Sequence, residues 1–288
     1  MAEKEPSLMP FAVGKITVAT LQKMKDEGTL ITMVGTGPCD ALWVLACERA
    51  GVELVRYVAF GENCEDRARN LHAQTREIRK LAPMICLNAV MSDWTYADKY
   101  HATEVATKLM MDGADCVLPM GVTNETLKYM SDRCIPVFGH VGCLSGWQAK
   151  AYGGYKRIGK TASEAMDVFR MAYEYQENGM VGMTIEMTSR EVTEAIAKKL
   201  RVPVIAVAAG GAADGSEMVI YDLLGFQPVS TMAKHSKHYR TYLEDSIAAF
   251  KEFDTDIKTR AYPQKEHGWS MDERELEKFL TDLDNTYK

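Results

Sequence analysis

Short apolar runs rich in β-branched residues recur along this chain, and the stretches between them carry helix patterning. The runs fall at 30–34, 54–60, 84–90, 116–119, 136–139, 181–185 and 202–208. Strands alternating with helices give βα units and a parallel sheet, because parallel neighbours need a crossover that returns the chain to the same end. With an eighth strand near 229–232, the pattern predicts a (β/α)8 TIM barrel in preference to a doubly wound sheet. A length of 288 residues, 47% of them hydrophobic, suffices to fill such a core.

The helices between the runs are marked at their ends. Thr161 with Glu164, and Thr188 with Glu191, have the spacing of capping boxes. Gly179 is placed to end the first of these helices with a left-handed turn, and Ala165, Phe169 and Ala172 form an apolar stripe along it. Asp214 is read as the start of a further helix. Neither an internal repeat nor a Pro/Gly/Ser linker divides the sequence. The expectation is therefore one barrel domain over 1–288, with an N-terminal arm at 1–14 and a charged C-terminal helix at about 270–286, opened by Ser270 and Glu273.

A net charge of -6 argues against nucleic acid or an anionic membrane as partner, since both attract a concentrated positive field. A small-molecule substrate is expected instead. No apolar stretch reaches the length of a membrane span, and the first residues lack the apolar core of a secretion signal, which points to a cytoplasmic protein. Seven scattered cysteines without a CxxC pair fit free thiols in a reducing compartment.

Punctuated motifs stand where the later apolar runs stop: GHVG at 139–142, GGYKRIGKT at 153–161, IEM at 185–187, AGGAADG at 209–215 and DLLG at 222–225. In a closed barrel all strands end on one face, so loops distant in sequence meet there. Together with YPQKEH at 262–267 and the opening KITVATLQKMKDEG at 15–28, these motifs resemble the ketopantoate hydroxymethyltransferase family. The similarity spans nearly the whole chain and is loosest between 56 and 125.

The resemblance implies a barrel of the phosphoenolpyruvate/pyruvate superfamily that makes or breaks a C–C bond next to the carbonyl of a 2-oxo acid or related small molecule. Mg2+ would stabilise the enolate and methylene-tetrahydrofolate would carry the one-carbon unit. It also implies a homo-oligomer. Glu186 matches the family's acid/base glutamate and His140 its active-site histidine, while Asp40 falls at an aspartate of the family pattern. Glu62 and Asn63 align with a metal-ligating aspartate and a substrate-binding serine. Asn88 stands at the second metal aspartate, and Leu118 and Met120 replace a substrate lysine and a metal-supporting glutamate.

Magnesium prefers carboxylate and water oxygens, and a thioether at Met120 does not suit it. The sequence thus predicts a weak or absent metal site at Glu62 and Asn88. Two alternatives follow: a metal-independent lyase or transferase on a less charged substrate, and a non-catalytic binding or assembly protein on the same scaffold. Lesser candidates are Asp93 and Trp94 as replacement contacts, Cys143 as a thiol, and Lys156, Lys160, Trp147, Tyr152 and Tyr155 at the pocket or an interface.

Overall fold

The structure, a computed structural model, describes residues 14–37, 41–92, 94–231 and 236–287, the side chain of Trp147 excepted. The N-terminal arm, Asp40 and Asp93 are thus almost wholly or entirely outside the described residues. Eight parallel strands form the sheet: β1 (Ile31–Gly37), β2 (Leu54–Val58), β3 (Cys86–Met91), β4 (Cys116–Pro119), β5 (Phe138–Gly142), β6 (Gly182–Glu186), β7 (Val204–Val207) and β8 (Gly215–Val219). Their order is β4-β3-β2-β1-β8-β7-β6-β5. The edges β4 and β5 meet where Val117 N–H donates to Pro136 O at 3.0 Å, which closes the barrel. The (β/α)8 expectation holds.

Helices alternate with the strands on the outside: α1 (Val18–Asp26), α2 (Ala41–Arg49), α3 (Cys64–Leu81), α4 (Lys99–Asp112), α5 (Asn124–Ser131), α6 (Gly146–Ala151), α7 (Ala162–Glu177), α8 (Arg190–Lys199) and α9 (Ile220–Leu224), followed by α10 (Tyr242–Thr259) and α11 (Glu273–Thr286). Side chains alternate across each strand, and two apolar clusters result. Ile31, Leu54, Cys86, Cys116, Leu118 and Phe138 fill the barrel, with Leu21 of α1 closing the end where the strands begin. Val55, Tyr57, Leu87, Val117 and Ile185 face outward onto Ile78, Leu109 and Ile196 of the helices. Each fully buried Leu or Ile contributes about 1.5–3 kcal/mol relative to exposure.

At the start of the strands Asp115 is nearly buried between two cations. Its carboxylate accepts from Arg79 Nη2 at 2.5 Å and from Leu87 N–H at 2.9 Å, and it pairs with Lys15. This cluster joins the N-terminal segment, α3, β3 and β4.

The eighth strand is a correction. It lies at Gly215–Val219, whereas Val229–Thr231 form a 3-10 turn and Met232 is outside the described residues. Nor does Asp214 open a helix. No helix joins β7 to β8; residues 208–214 return directly. There Asp214 Oδ2 accepts from Lys25 Nζ at 2.6 Å and from Val204 N–H at 2.8 Å, pinning the loop to α1 and β7.

Helix ends also differ in detail. Thr161 caps α7 by accepting from Glu164 N–H, but Glu164 reaches Lys160 N–H rather than its box partner. Ser189, not Thr188, occupies the cap position of α8, and Asp272, not Ser270, caps α11. Gly179 has φ 95 just past α7, as a left-handed helix end requires. The stripe on α7 buries Ala172 fully and Ala165 and Phe169 in part.

Helices α10 and α11 bury no residue. Ile247, Phe250, Phe253 and Ile257 make an apolar stripe on the first, and Leu276, Phe279, Leu280 and Leu283 on the second, all exposed. Among the described residues no helix is long and apolar enough to cross a membrane.

Candidate active site

β5 and β6 are neighbours in register, with His140 beside Thr184 and Gly142 beside Glu186. Glu186 closes β6 and shares the inward face of Thr184, two residues before it, so it meets the inward His140. His140 Nε2 and Glu186 Oε2 lie 3.0 Å apart. Both are buried, at 7% and 8% exposure. An ionised carboxylate only accepts, so this contact places the imidazole hydrogen on Nε2 when Glu186 is charged.

The backbone around Glu186 is built to hold it. Its carbonyl accepts from Cys143 N–H at 2.9 Å and from the Thr188 hydroxyl at 3.2 Å. Gly142 has φ 88, and a Cβ there would lie 2.3 Å from Glu186 O. Met187 follows Glu186 with φ 47, a left-handed conformation costly for a side-chain-bearing residue. Gly142→Ala is expected to destabilise the protein by about 1–3 kcal/mol, because neither the dihedral nor the backbone oxygen can yield cheaply. Urea unfolding measures the cost, and an unchanged midpoint would show that the loop accommodates a methyl.

A second ionic pair lies inside the same barrel. Arg56 on β2 shares the inward parity of Leu54 and Val58, and Glu217 points inward from β8. Arg56 Nε and Nη2 both donate to Glu217 Oε1, at 2.6 and 2.5 Å. β1 runs between these strands, and the pair crosses it at Gly35, where an added Cβ would stand 2.3 Å from Glu217 Oε1. Burial opposes the charge on Arg56 but is outweighed by Glu217 and then Glu186, so the guanidinium is held more firmly protonated than usual. Burial pushes the Glu217 carboxyl above its ordinary range, with partial relief from Arg56; Glu186 adds to the rise and His140 offsets it.

These four groups therefore sense one another across the barrel mouth. Above Arg56 opens a cavity of about 220 Å³, lined by Val58, Val90, Ser92, Met120 and Tyr155 among others. Glu186 and His140 are not part of that lining and sit in the adjoining barrel wall. Wider grooves lie elsewhere, such as the one between α3 and α4 lined by His72, Arg76, His101 and Asp112, but on the outer surface away from this cluster.

The remaining candidates scatter. Leu118 and Met120 point into the barrel, buried. Asn88 is fully buried, and neither its Oδ1 nor its Nδ2 has a partner among the described residues; the same holds for Thr184 Oγ1 and Glu217 Oε2. Glu62 is exposed in the turn before α3. Asn63, also exposed, caps that helix by accepting from Asp66 N–H at 2.8 Å. Cys143 is buried, donating to Leu144 O and accepting from Lys156 N–H. Lys156 Nζ donates to Tyr152 O at a helix end. Lys160, Tyr152 and Trp94 are exposed. The Tyr155 hydroxyl accepts from Gly146 N–H at 3.2 Å at the cavity rim.

Glu62 and Asn88 thus differ in setting, one in solvent and one in the barrel. No group of three or more His, Cys, Asp or Glu side chains able to hold a metal exists among the described residues. Of the inward positions about the mouth, Val58, Val90, Leu118 and Met120 offer no hard oxygen donor for magnesium, Glu186 and Glu217 are already engaged by His140 and Arg56, and Asn88 brings only a neutral amide oxygen. Among the described residues the donor set does not fit the cation that the family resemblance implies.

Sequence reasoning missed Arg56 and Glu217. The available signal was parity: each is a charged residue in phase with inward apolar neighbours of a short strand, LVRYV and GSEMV.

Comparison with known proteins adds an independent line. Residues 15–265 match the family model described as ketopantoate hydroxymethyltransferase. The 3-methyl-2-oxobutanoate hydroxymethyltransferase of Hyperthermus butylicus is 31% identical over 275 residues, covering 92% of this chain and 94% of the relative. A second relative of that name, from Methylibium petroleiphilum, is 30% identical, with 92% and 93% covered. Among solved structures, 2,3-dimethylmalate lyase superposes with a TM-score of 0.54 at 13% identity, covering 88% of this chain and 92% of that one. Oxaloacetate acetylhydrolase gives 0.54 at 11% identity, with 85% and 87% covered. At such identities the structural likeness speaks for the barrel alone.

Proposed function

The chain belongs to the ketopantoate hydroxymethyltransferase family, and we propose that it makes or breaks a C–C bond beside the carbonyl of a small 2-oxo acid, with Glu186 moving the proton. The observation that carries this reading is the buried contact of 3.0 Å between Glu186 and His140 at the ends of adjacent strands. A carboxylate with one oxygen fixed by an imidazole N–H keeps its other oxygen for a proton on substrate carbon. That is the arrangement general base catalysis needs. His140 positions the base, and the burial of both side chains limits competing water.

Magnesium plays no step in this reading, because the residues at the mouth do not suit it; a metal-independent reaction is favoured on that ground. A folate-borne one-carbon unit enters through family membership alone. Incubating the protein with 2-oxo acids, with and without methylene-tetrahydrofolate and with chelator present, should yield a product altered at the carbon beside the carbonyl, detected by mass spectrometry. Failure across acids and donors would favour the binding or assembly role.

The reading includes a single-barrel cytoplasmic enzyme that assembles with copies of itself. The apolar stripes of α10 and α11 support the assembly, since exposed faces of this extent usually mark a contact. Light scattering is expected to give a mass several times that of one chain, and Phe279→Glu with Leu280→Glu to lower it. A monomer before substitution would refute the assembly.

A further inference from the structure

We infer that Arg56 anchors the carboxylate of the substrate, supplying from β2 the positive charge that the mouth's apolar residues cannot recruit as a metal ion. The inference rests on the reading of a small oxo acid as substrate and assigns it a recognition residue. Three observations carry it. Arg56 both lines the cavity and is fixed from behind by Glu217. Both hydrogen bonds to Glu217 converge on one oxygen, and they use only two of the five guanidinium donors. The remaining donors form the planar fork that takes a carboxylate bidentately.

The surroundings are consistent with a small anion. The cavity of about 220 Å³ lies below the roughly 300–1,000 Å³ of pockets for drug-sized ligands. Val58, Val90 and Met120 give it apolar walls, so a charge in it strengthens the Arg56 contact. Gly35 is the residue that lets the anchor exist: any side chain there would collide with Glu217 and push the counter-ion away from the guanidinium. A lone arginine in a strand is ordinarily a solvent-facing residue; this one is held inside the barrel by a glycine on the intervening strand.

Titration calorimetry of the full chain in excess EDTA, with pyruvate, 2-oxobutanoate and 3-methyl-2-oxobutanoate each beside its methyl ester, reads the contact. Wild type is expected to bind at least one acid and not its ester. Arg56→Gln should weaken that acid by roughly 100-fold, the effect of losing a bidentate charged pair. Because Arg56→Gln leaves Glu217 buried without its partner, the double variant Arg56→Gln/Glu217→Gln guards against misfolding and should lose binding equally. Glu217→Gln alone should bind at least as tightly as wild type, a split that a structural ion pair would not produce. Binding retained in the double variant, ester bound as tightly as acid, binding only when magnesium replaces EDTA, or no acid bound at all would overturn the assignment. Hydrogen exchange on the bound acid separates the two readings. Exchange with Arg56-independent binding removes Arg56 and leaves Glu186; Arg56-dependent binding without exchange does the reverse.

Discussion

Glu186→Gln should reduce turnover by about 10²–10⁴-fold, the span expected when a positioned general base is lost, while the protein stays folded. The amide is nearly isosteric and its oxygen can still accept from His140 Nε2, so the contact at 3.0 Å survives the change. What disappears is a group able to take a proton from carbon. The carbonyl of residue 186 keeps its bonds from Cys143 and Thr188, so the loop that presents the side chain is untouched. Thermal unfolding beside the rate measurement separates chemistry from folding. A variant with full turnover would remove Glu186 from the mechanism, and one with a depressed melting point would show that the residue also holds the barrel.

The largest effect on stability is expected far from this site, at Asp115. Its carboxylate is 7% exposed and stands between Lys15 and Arg79, whose side chains are 14% and 17% exposed. Asp115→Ala leaves two poorly solvated cations facing each other and strips Leu87 N–H of its acceptor. Removing one partner from a buried ionic cluster costs about 3–5 kcal/mol, mostly as the penalty on the charges left behind. The exposed pair of Lys198 and Glu194 on α8 offers the control, because solvent already screens it. Urea midpoints should fall sharply for Asp115→Ala and scarcely for Glu194→Ala. Equal shifts would mean that the Asp115 cluster is better hydrated than its burial suggests.

The strands that could be read from sequence, from Ile31 through Val207, keep a mostly apolar run even where Arg56 or Asn88 interrupts it. β8 escaped because GSEMV holds only two apolar residues, and because a charge inside a strand ordinarily marks the solvent face. Its burial becomes intelligible only once Arg56 arrives from β2, a contact made by closure of the sheet and invisible to local pattern. The run at 229–232 mimicked a strand by its Val and Thr, yet Pro228 precedes it and Pro228 O accepts from Thr231 N–H at 2.8 Å, closing a tight turn. The meeting of Glu186 and His140 was legible because each follows an apolar run inside a distinctive motif. Glu62 and Asn63 look different in the fold for a local reason: an asparagine three residues before Asp66 is a helix cap, and capping claims its side chain. Nothing local to Asn88 signals that both amide atoms are enclosed without partners among the described residues.

The claim on which the rest depends is that Glu186 takes a proton from carbon beside the substrate carbonyl. Proton NMR of 3-methyl-2-oxobutanoate in D2O with the protein and chelator follows that hydrogen directly. The signal of the carbon-bound hydrogen next to the carbonyl should decay with wild type and persist with Glu186→Gln. Decay at the same rate in both, or in neither, would contradict the account.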